Sequence, residues 1–187
     1  MRLENSFAVP VSVEQAWLLL NDVPSVVPCM PGAELLEVVG ENAWKAKLHV
    51  KLGPIALQFL ADVVRERSDE AAGNVVLGVK ARESKGRGNA EATIESTLTV
   101  ANGGTRVDIV TELALRGAVA QYGRGVVGDV ASRLTAQFAA GIGERLAGVP
   151  ALSAPAASPE PVGILRLVLA ALRGALFGRS RSERIPP

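Results

Sequence analysis

The sequence predicts an α+β domain in which a curved meander of about seven antiparallel strands wraps one long C-terminal helix. Three observations lead there. Between Glu34 and Arg116, apolar residues recur at every second position in segments parted by short turns, the pattern of strands with one buried face. From Val127 onward the period changes: Val127, Val130/Ala131, Leu134, Phe138, Ile142 and Leu146 recur at three- and four-residue steps, the stripe of an amphipathic helix. That helix comes last, behind the strands, so the sheet must be the partner of its apolar face.

Taken in order, Arg2–Val9 reads as a first strand ended by Pro10. Ser12 and Gln15 have the capping-box spacing, and Val13, Ala16, Trp17 and Leu20 share one face of the helix that follows. Asn21-Asp22-Val23-Pro24 stops it, with a second short helical turn expected over Val23–Val27. Pro28-Cys29-Met30-Pro31-Gly32 is apolar for a surface loop and reads either as a rigid turn or as the lip of a cavity.

Strands Glu34–Val39 and Ala43–Lys51 form a hairpin about Gly40-Glu41-Asn42. In the second, Trp44, Ala46, Leu48 and Val50 alternate with Lys45, Lys47, His49 and Lys51. Gly53-Pro54 breaks the run, and Ile55–Arg67 follows with Ile55, Leu57, Phe59, Ala61 and Val63 on one face. Asn74–Ala81, Ala90–Val100 and Thr105–Arg116 complete the meander, linked by Arg82–Gly88 and by Asn102-Gly103-Gly104. The short connections make sequential strands antiparallel neighbours.

The last helix begins loosely. Gly117, Gly123, Gly125 and Gly128 each cost about 0.5–1 kcal/mol relative to alanine within a helix. This stretch is therefore poorly helical or closely approached by something. The inward strand positions include the small residues Ala46, Ala61, Ala81, Ala90, Ala92 and Ser96. The helix could pack flush on such a face, or leave an aliphatic tunnel suited to a lipophilic ligand.

Composition excludes several functions. Aromatics are 4% of the chain, too few for base-stacking platforms. Net charge is +1, but residues 151–187 hold five arginines against two glutamates, +3, which leaves residues 1–150 at −2 and without a polyanion footprint. No nucleic-acid partner is expected. His49 is the lone histidine and Cys29 the lone cysteine, so no transition-metal site, internal disulfide or Ser/His/Asp set is expected, and a reducing cytoplasm is the default setting. Gly123-Arg124-Gly125-Val126-Val127-Gly128 matches a dinucleotide fingerprint in letters alone, since no further strand follows it. Tyr122, the lone tyrosine, either bonds a ligand carbonyl or caps the core.

After residue 147 the character changes. Residues 148–161 are a Pro/Ala-rich linker. Residues 162–187 form an amphipathic, basic tail in which Leu165, Leu169, Leu172, Leu176 and Phe177 accompany Arg166, Arg173, Arg179 and Arg181. Sixteen residues, 162–177, reach about 24 Å, short of the roughly 30 Å hydrocarbon core, and Arg166 and Arg173 within them also disfavour spanning. The tail reads as a helix lying in one leaflet, its arginines facing anionic lipids, or else as a helix docking on a partner.

Phe7, Trp17 and Asp22, the run Pro28-Cys29-Met30-Pro31-Gly32-Ala33-Glu34, the run Lys51-Leu52-Gly53-Pro54-Ile55, and Gly117 with Gln121-Tyr122-Gly123 together resemble the carbon monoxide dehydrogenase G-subunit family over residues 1–147. That family is similar to START-like, helix-grip (SRPBCC) lipid-binding domains. The resemblance implies a helix-grip fold with an internal apolar cavity and no catalytic residues. It also implies the molybdenum-containing CO dehydrogenase as partner and attachment to the inner face of the cytoplasmic membrane. The expected function is a non-enzymatic accessory protein that carries a lipophilic quinone such as menaquinone. A pure anchor or an assembly factor is the alternative. Val50, Leu57, Phe59, Val79, Leu98 and Leu113 on the strands, with Val126, Val130 and Leu134 on the helix, would line the ligand's path. Met30, Pro31 and Tyr122 would stand at its opening, and Gly123 and Gly125 would form a gate. Alanine at both glycines is expected to stabilise the helix and slow exchange.

Overall fold

The computed structural model describes residues 1–52 and 55–147, and the expectations for the linker and tail lie outside them. The chain divides into two units, Met1–Ser153 and Ala154–Pro187. The elements of the first are β1 (Arg2–Val9), α1 (Val13–Asn21), α2 (Val23–Val26), a 3-10 turn (Val27–Cys29), β2 (Ala33–Gly40) and β3 (Ala43–Leu52). They continue with β4 (Ile55–Asp69), β5 (Asn74–Glu83), β6 (Gly88–Ala101), β7 (Gly104–Gly117), a second 3-10 turn (Ala118–Tyr122) and α3 (Gly123–Leu146).

The local signals act as the chemistry requires. Ser12 Oγ accepts the Gln15 N–H at 3.3 Å, and Gln15 Oε1 accepts the Ser12 N–H at 3.4 Å, closing the capping box that starts α1. Asp22 Oδ1 accepts the Ser25 N–H and starts α2 at once. All seven strands form one antiparallel sheet in the order β1-β7-β6-β5-β4-β3-β2. β1, separated from the meander by two helices, returns to pair with β7, Phe7 facing Val107.

The register places Leu3, Asn5, Phe7 and Val9 of β1 in line with Thr105, Val107, Ile109 and Thr111 of β7. From there the inward set runs through β6 and β5 to Trp44 and Ala46 of β3. This is the concave face, and α3 lies on its side of the sheet in the helix-grip arrangement.

The last helix is not the sole cover of the sheet. Val9, Ala16, Trp17, Val26, Cys29, Val75, Leu98, Val107 and Ile142 form the closely packed core, so α1 and α2 fill one end together with the C-terminal half of α3. The α3 backbone packs on β1 and on the Val27–Cys29 turn. Phe7 and Phe138 meet edge to face with centroids 5.8 Å apart, and the Ser132 hydroxyl donates to Asn5 Oδ1. Of the four glycines at the loose start, Gly117 is closely approached, a Cβ there standing 2.8 Å from Gly88 Cα; within α3 the close approach is at Gly141, where a Cβ would stand 2.8 Å from the Cys29 carbonyl oxygen. A side chain at Gly125 or Gly128 would meet open space.

Candidate functional site

At the packed end the inward residues are sealed: Val75 is 7%, Leu98 4% and Val107 1% exposed. Toward the other end the same face is less tightly covered, although Leu57, Glu83 and Val119 at its edge are buried. Leu48, Val50, Phe59, Val79, Leu113 and Leu115 are half-buried although they are apolar and lie on the concave face. Solvent reaches them because α3 follows β1 and does not lie on the centre of the sheet. The result is an apolar cleft between sheet and helix.

Its floor comes from strand register. Ala46 faces Ala61, Ala61 faces Ala81, and Ala81 faces Ala90, one row of methyl groups across four adjacent strands. Four strands at about 4.8 Å spacing make this trough roughly 14 Å long. Larger side chains border it: Trp44, Val63 and Val79 on one side, Leu48 and Phe59 on the other. The alternation of each strand was readable beforehand. The alignment of the alanines was not, because it depends on hairpin register.

The open end has a rim closed by backbone hydrogen bonds. The His49 N–H donates to Gly32 O at 2.9 Å, fixing the Pro28–Gly32 lip against β3, and Gly32 has φ +77° with the His49 carbonyl where a Cβ would stand. The Ser84 N–H and hydroxyl both donate to Gln58 O, and the Val119 N–H donates to Arg87 O. Within this rim Glu83 is buried, and its Oε2 accepts the N–H groups of Lys85 at 2.8 Å and Arg87 at 3.1 Å. Burial pushes its carboxyl pKa up, but the N–H groups of Arg87, Lys85 and Gln58 and the Arg87 charge outweigh that and leave it below the ordinary value.

The proposed lining residues divide by environment. Val50, Phe59, Val79, Leu113, Val130 and Leu134 are half-buried along the cleft. Leu57 is buried at 3%, and Leu98 belongs to the packed core with Trp17 and Ile142. Val126 is 44% exposed on α3. Met30 and Pro31 are half-buried in the lip, and Tyr122 is half-buried where the second 3-10 turn meets α3. Among the described residues the Tyr122 hydroxyl makes no hydrogen bond within the chain. Gly123 has φ +73°, so alanine there is strained, and the expected stabilisation by a double glycine-to-alanine change fails at this position. Gly125 carries no such constraint.

Other groups have structural employment. Cys29 is buried, and desolvation pushes its thiol pKa up, which disfavours the reactive thiolate. Arg124 donates to the Arg2 carbonyl at 3.2 Å. Arg65 was missed by sequence reasoning. It breaks the apolar alternation of β4 two residues after Val63, and that break was the available signal. Its Nη2 donates to the Asn21 carbonyl at the end of α1.

Two further hollows lie elsewhere. One of about 580 Å³ has Asp62, Glu66, Lys80, Glu91 and Glu112 among its walls, residues of the convex face. One of about 450 Å³ lies between β1 and the start of α3. The charged walls of the first suit water and ions, so the concave cleft is the better place for an apolar molecule. Among the described residues no group of acidic, histidine or cysteine side chains could hold a metal ion, and no helix is long and apolar enough to cross a membrane.

The family model for the G-subunit of carbon monoxide dehydrogenase (CoxG) matches residues 6–147, the span that carries the sheet, the lip and α3. The chain belongs to the CoxG family. Solved structures with the same fold include a conserved protein from Geobacillus kaustophilus, 24% identical with TM-score 0.71 over 79% of this chain and 96% of that one. A protein from Thermus thermophilus is 14% identical with TM-score 0.57, over 80% of this chain and 100% of that one. An aromatase/cyclase from Streptomyces sp. R1128 is also 14% identical with TM-score 0.57, over 78% of this chain and 92% of that one. At these identities the likeness establishes the helix-grip fold. Among curated proteins nothing matches the chain. Membership of the CoxG family agrees with the resemblance carried by Pro28–Glu34 and Lys51–Ile55.

Proposed function

We propose that this CoxG-family protein is a non-enzymatic accessory protein of aerobic CO dehydrogenase that holds a lipophilic molecule, a respiratory quinone such as menaquinone, in the concave cleft. Family membership supports the partner. The observation that supports the ligand class is the half-buried apolar face over the Ala46–Ala61–Ala81–Ala90 row. Apolar surface left in contact with water gains about 25 cal/mol per Å² when covered, and an isoprenoid chain covers it without needing polar partners. Among the inward polar side chains Ser96 and Thr111 make no acid–base pair, Asn5 is bonded to Ser132, Arg65 to the Asn21 carbonyl, and Glu83 is committed to its turn. That favours binding over catalysis. A quinone so held can leave the bilayer and reach a soluble dehydrogenase, and residues 162–187 attach the protein to the inner face of the cytoplasmic membrane.

Native mass spectrometry of the full chain purified from a quinone-containing host, with lipid identification, tests this. A stoichiometric quinone, lost when Ala61→Phe fills the trough, is the expected result. An empty protein that still recruits the dehydrogenase to membranes would leave a pure anchor. An effect confined to enzyme maturation would leave an assembly factor.

A further inference from the structure

The charges of the folded domain are sorted along its strands. At the rim end Arg82 faces Asn89 and Asn89 faces Arg116, a cross-strand row on the convex side; Lys51 lies beyond it on β3, and Lys85 and Arg87 lie in the β5–β6 turn. Lys51, Arg82, Lys85 and Arg116 are exposed and Arg87 is half-buried. None of these five forms an ion pair within the described residues. Of the acids near this end, Glu34 is paired with Lys47, Glu83 is occupied by backbone N–H groups, and Asp62 and Glu91 face Lys80 one step further along the strands. Toward the other end the balance reverses. Glu66, Asp69 and Glu70 are exposed there, Arg67 is paired with Glu95 and Arg106 with Asp108, and Arg65 is held by the Asn21 carbonyl and Asn42.

From this polarity we infer that the rim end is a docking face for an anionic phospholipid surface. The inference rests on the proposed lipophilic ligand in that the half-buried apolar residues Val50, Phe59 and Leu115 of the cleft lie toward this end. Unpaired lysines and arginines near an anionic bilayer each contribute about 1 kcal/mol, and Met30 and Pro31 add apolar contact in the lip. The acidic far end is repelled by the same surface, so the charge sorting sets an orientation, cleft toward the lipid. A molecule taken from the acyl region then enters the cleft without crossing bulk water. An acidic protein surface could satisfy the cations, but it does not explain why they gather around the opening of an apolar cleft.

The test uses the full chain and two variants with equal change of net charge. Arg82→Glu with Arg116→Glu alters the rim, and Arg67→Glu with Arg106→Glu alters the far end. Flotation with phosphatidylglycerol/phosphatidylcholine vesicles should fall about tenfold or more for the rim pair and less than about twofold for the far pair. A nitroxide at Lys85→Cys should become shielded from an aqueous relaxation agent on vesicle addition, while one at Glu70→Cys stays accessible; buried Cys29 remains unlabelled in the folded chain. Equal losses for the two pairs, or equal accessibility of the two labels, overturn the docking face. A rim pair that keeps vesicle binding but loses the dehydrogenase in pull-down also overturns it, in favour of a protein surface. The ligand reading fails separately: oriented docking by a protein with an empty cleft would remove the ligand and keep the face.

Discussion

The Arg65 guanidinium lies over the Trp44 ring, its central carbon 5.2 Å from the centroid. The same guanidinium donates through Nη2 to the Asn21 carbonyl, so a cation from β4 meets the C-terminal end of α1, where the helix dipole favours it. Nη1 reaches Asn42 Oδ1, and the Arg65 N–H donates to Asn42 O at 2.8 Å. One side chain thus ties α1 to the β2–β3 turn and fixes the sealed end of the domain. Its Nε is buried without a partner, a cost the other contacts outweigh. Arg65→Ala should lower stability by about 2–3 kcal/mol in urea unfolding. Arg65→Lys should recover little, because a point charge cannot both stack on Trp44 and reach Asn21.

The α3 glycines should separate by environment. Gly141→Ala drives a methyl group into the Cys29 backbone and should cost about 1–3 kcal/mol. Gly128→Ala, with open space around it, should stabilise by about 0.5–1 kcal/mol. Urea midpoints for the two variants should move in opposite directions.

Glu83 gives the rim a dependence on pH. Its carboxyl pKa lies below the unfolded value, so its contribution is fully present above that unfolded value of 4.5 and is lost as pH falls through the lowered folded value. Glu83→Gln should be less stable than the parent at neutral pH, and the gap should close in acid. A gap that stays constant down to the acid transition would remove this role.

Filling the trough should harm binding more than folding. Ala61 is half-buried, so Ala61→Phe projects into the cleft and leaves the packed core untouched. A melting temperature within a few degrees of the parent, with bound lipid reduced about tenfold, is expected. Leu98→Ala, inside the packed core, should reverse the pattern, costing about 2–4 kcal/mol while retaining ligand in the protein that folds.

Cys29 should be unreactive. Its thiol is buried, and desolvation raises its pKa. Labelling by a thiol reagent should track global unfolding across a denaturant series; fast labelling of the native protein would mean that the lip opens locally.

The sequence by itself determined the elements and their faces. Alternation from Trp44 to Leu115, the capping box at Ser12 and the two-residue break at Gly53-Pro54 are local, since each depends on neighbours a few positions away. The family was legible for the same reason, in the contiguous runs Pro28–Glu34 and Lys51–Ile55. The tertiary structure decided what those faces enclose. Register, set by hairpins far apart in the chain, aligned four alanines into a trough and gathered Arg82, Lys85 and Arg116 at its open end. It also decided that Gly141 and not Gly125 is the close contact of α3, because contact depends on where the helix lies over β1 and the Val27–Cys29 turn. A helix stripe in sequence specifies which side is apolar; only the packing of α1 and α2 beside it fixes which half of that side is sealed and which is left open.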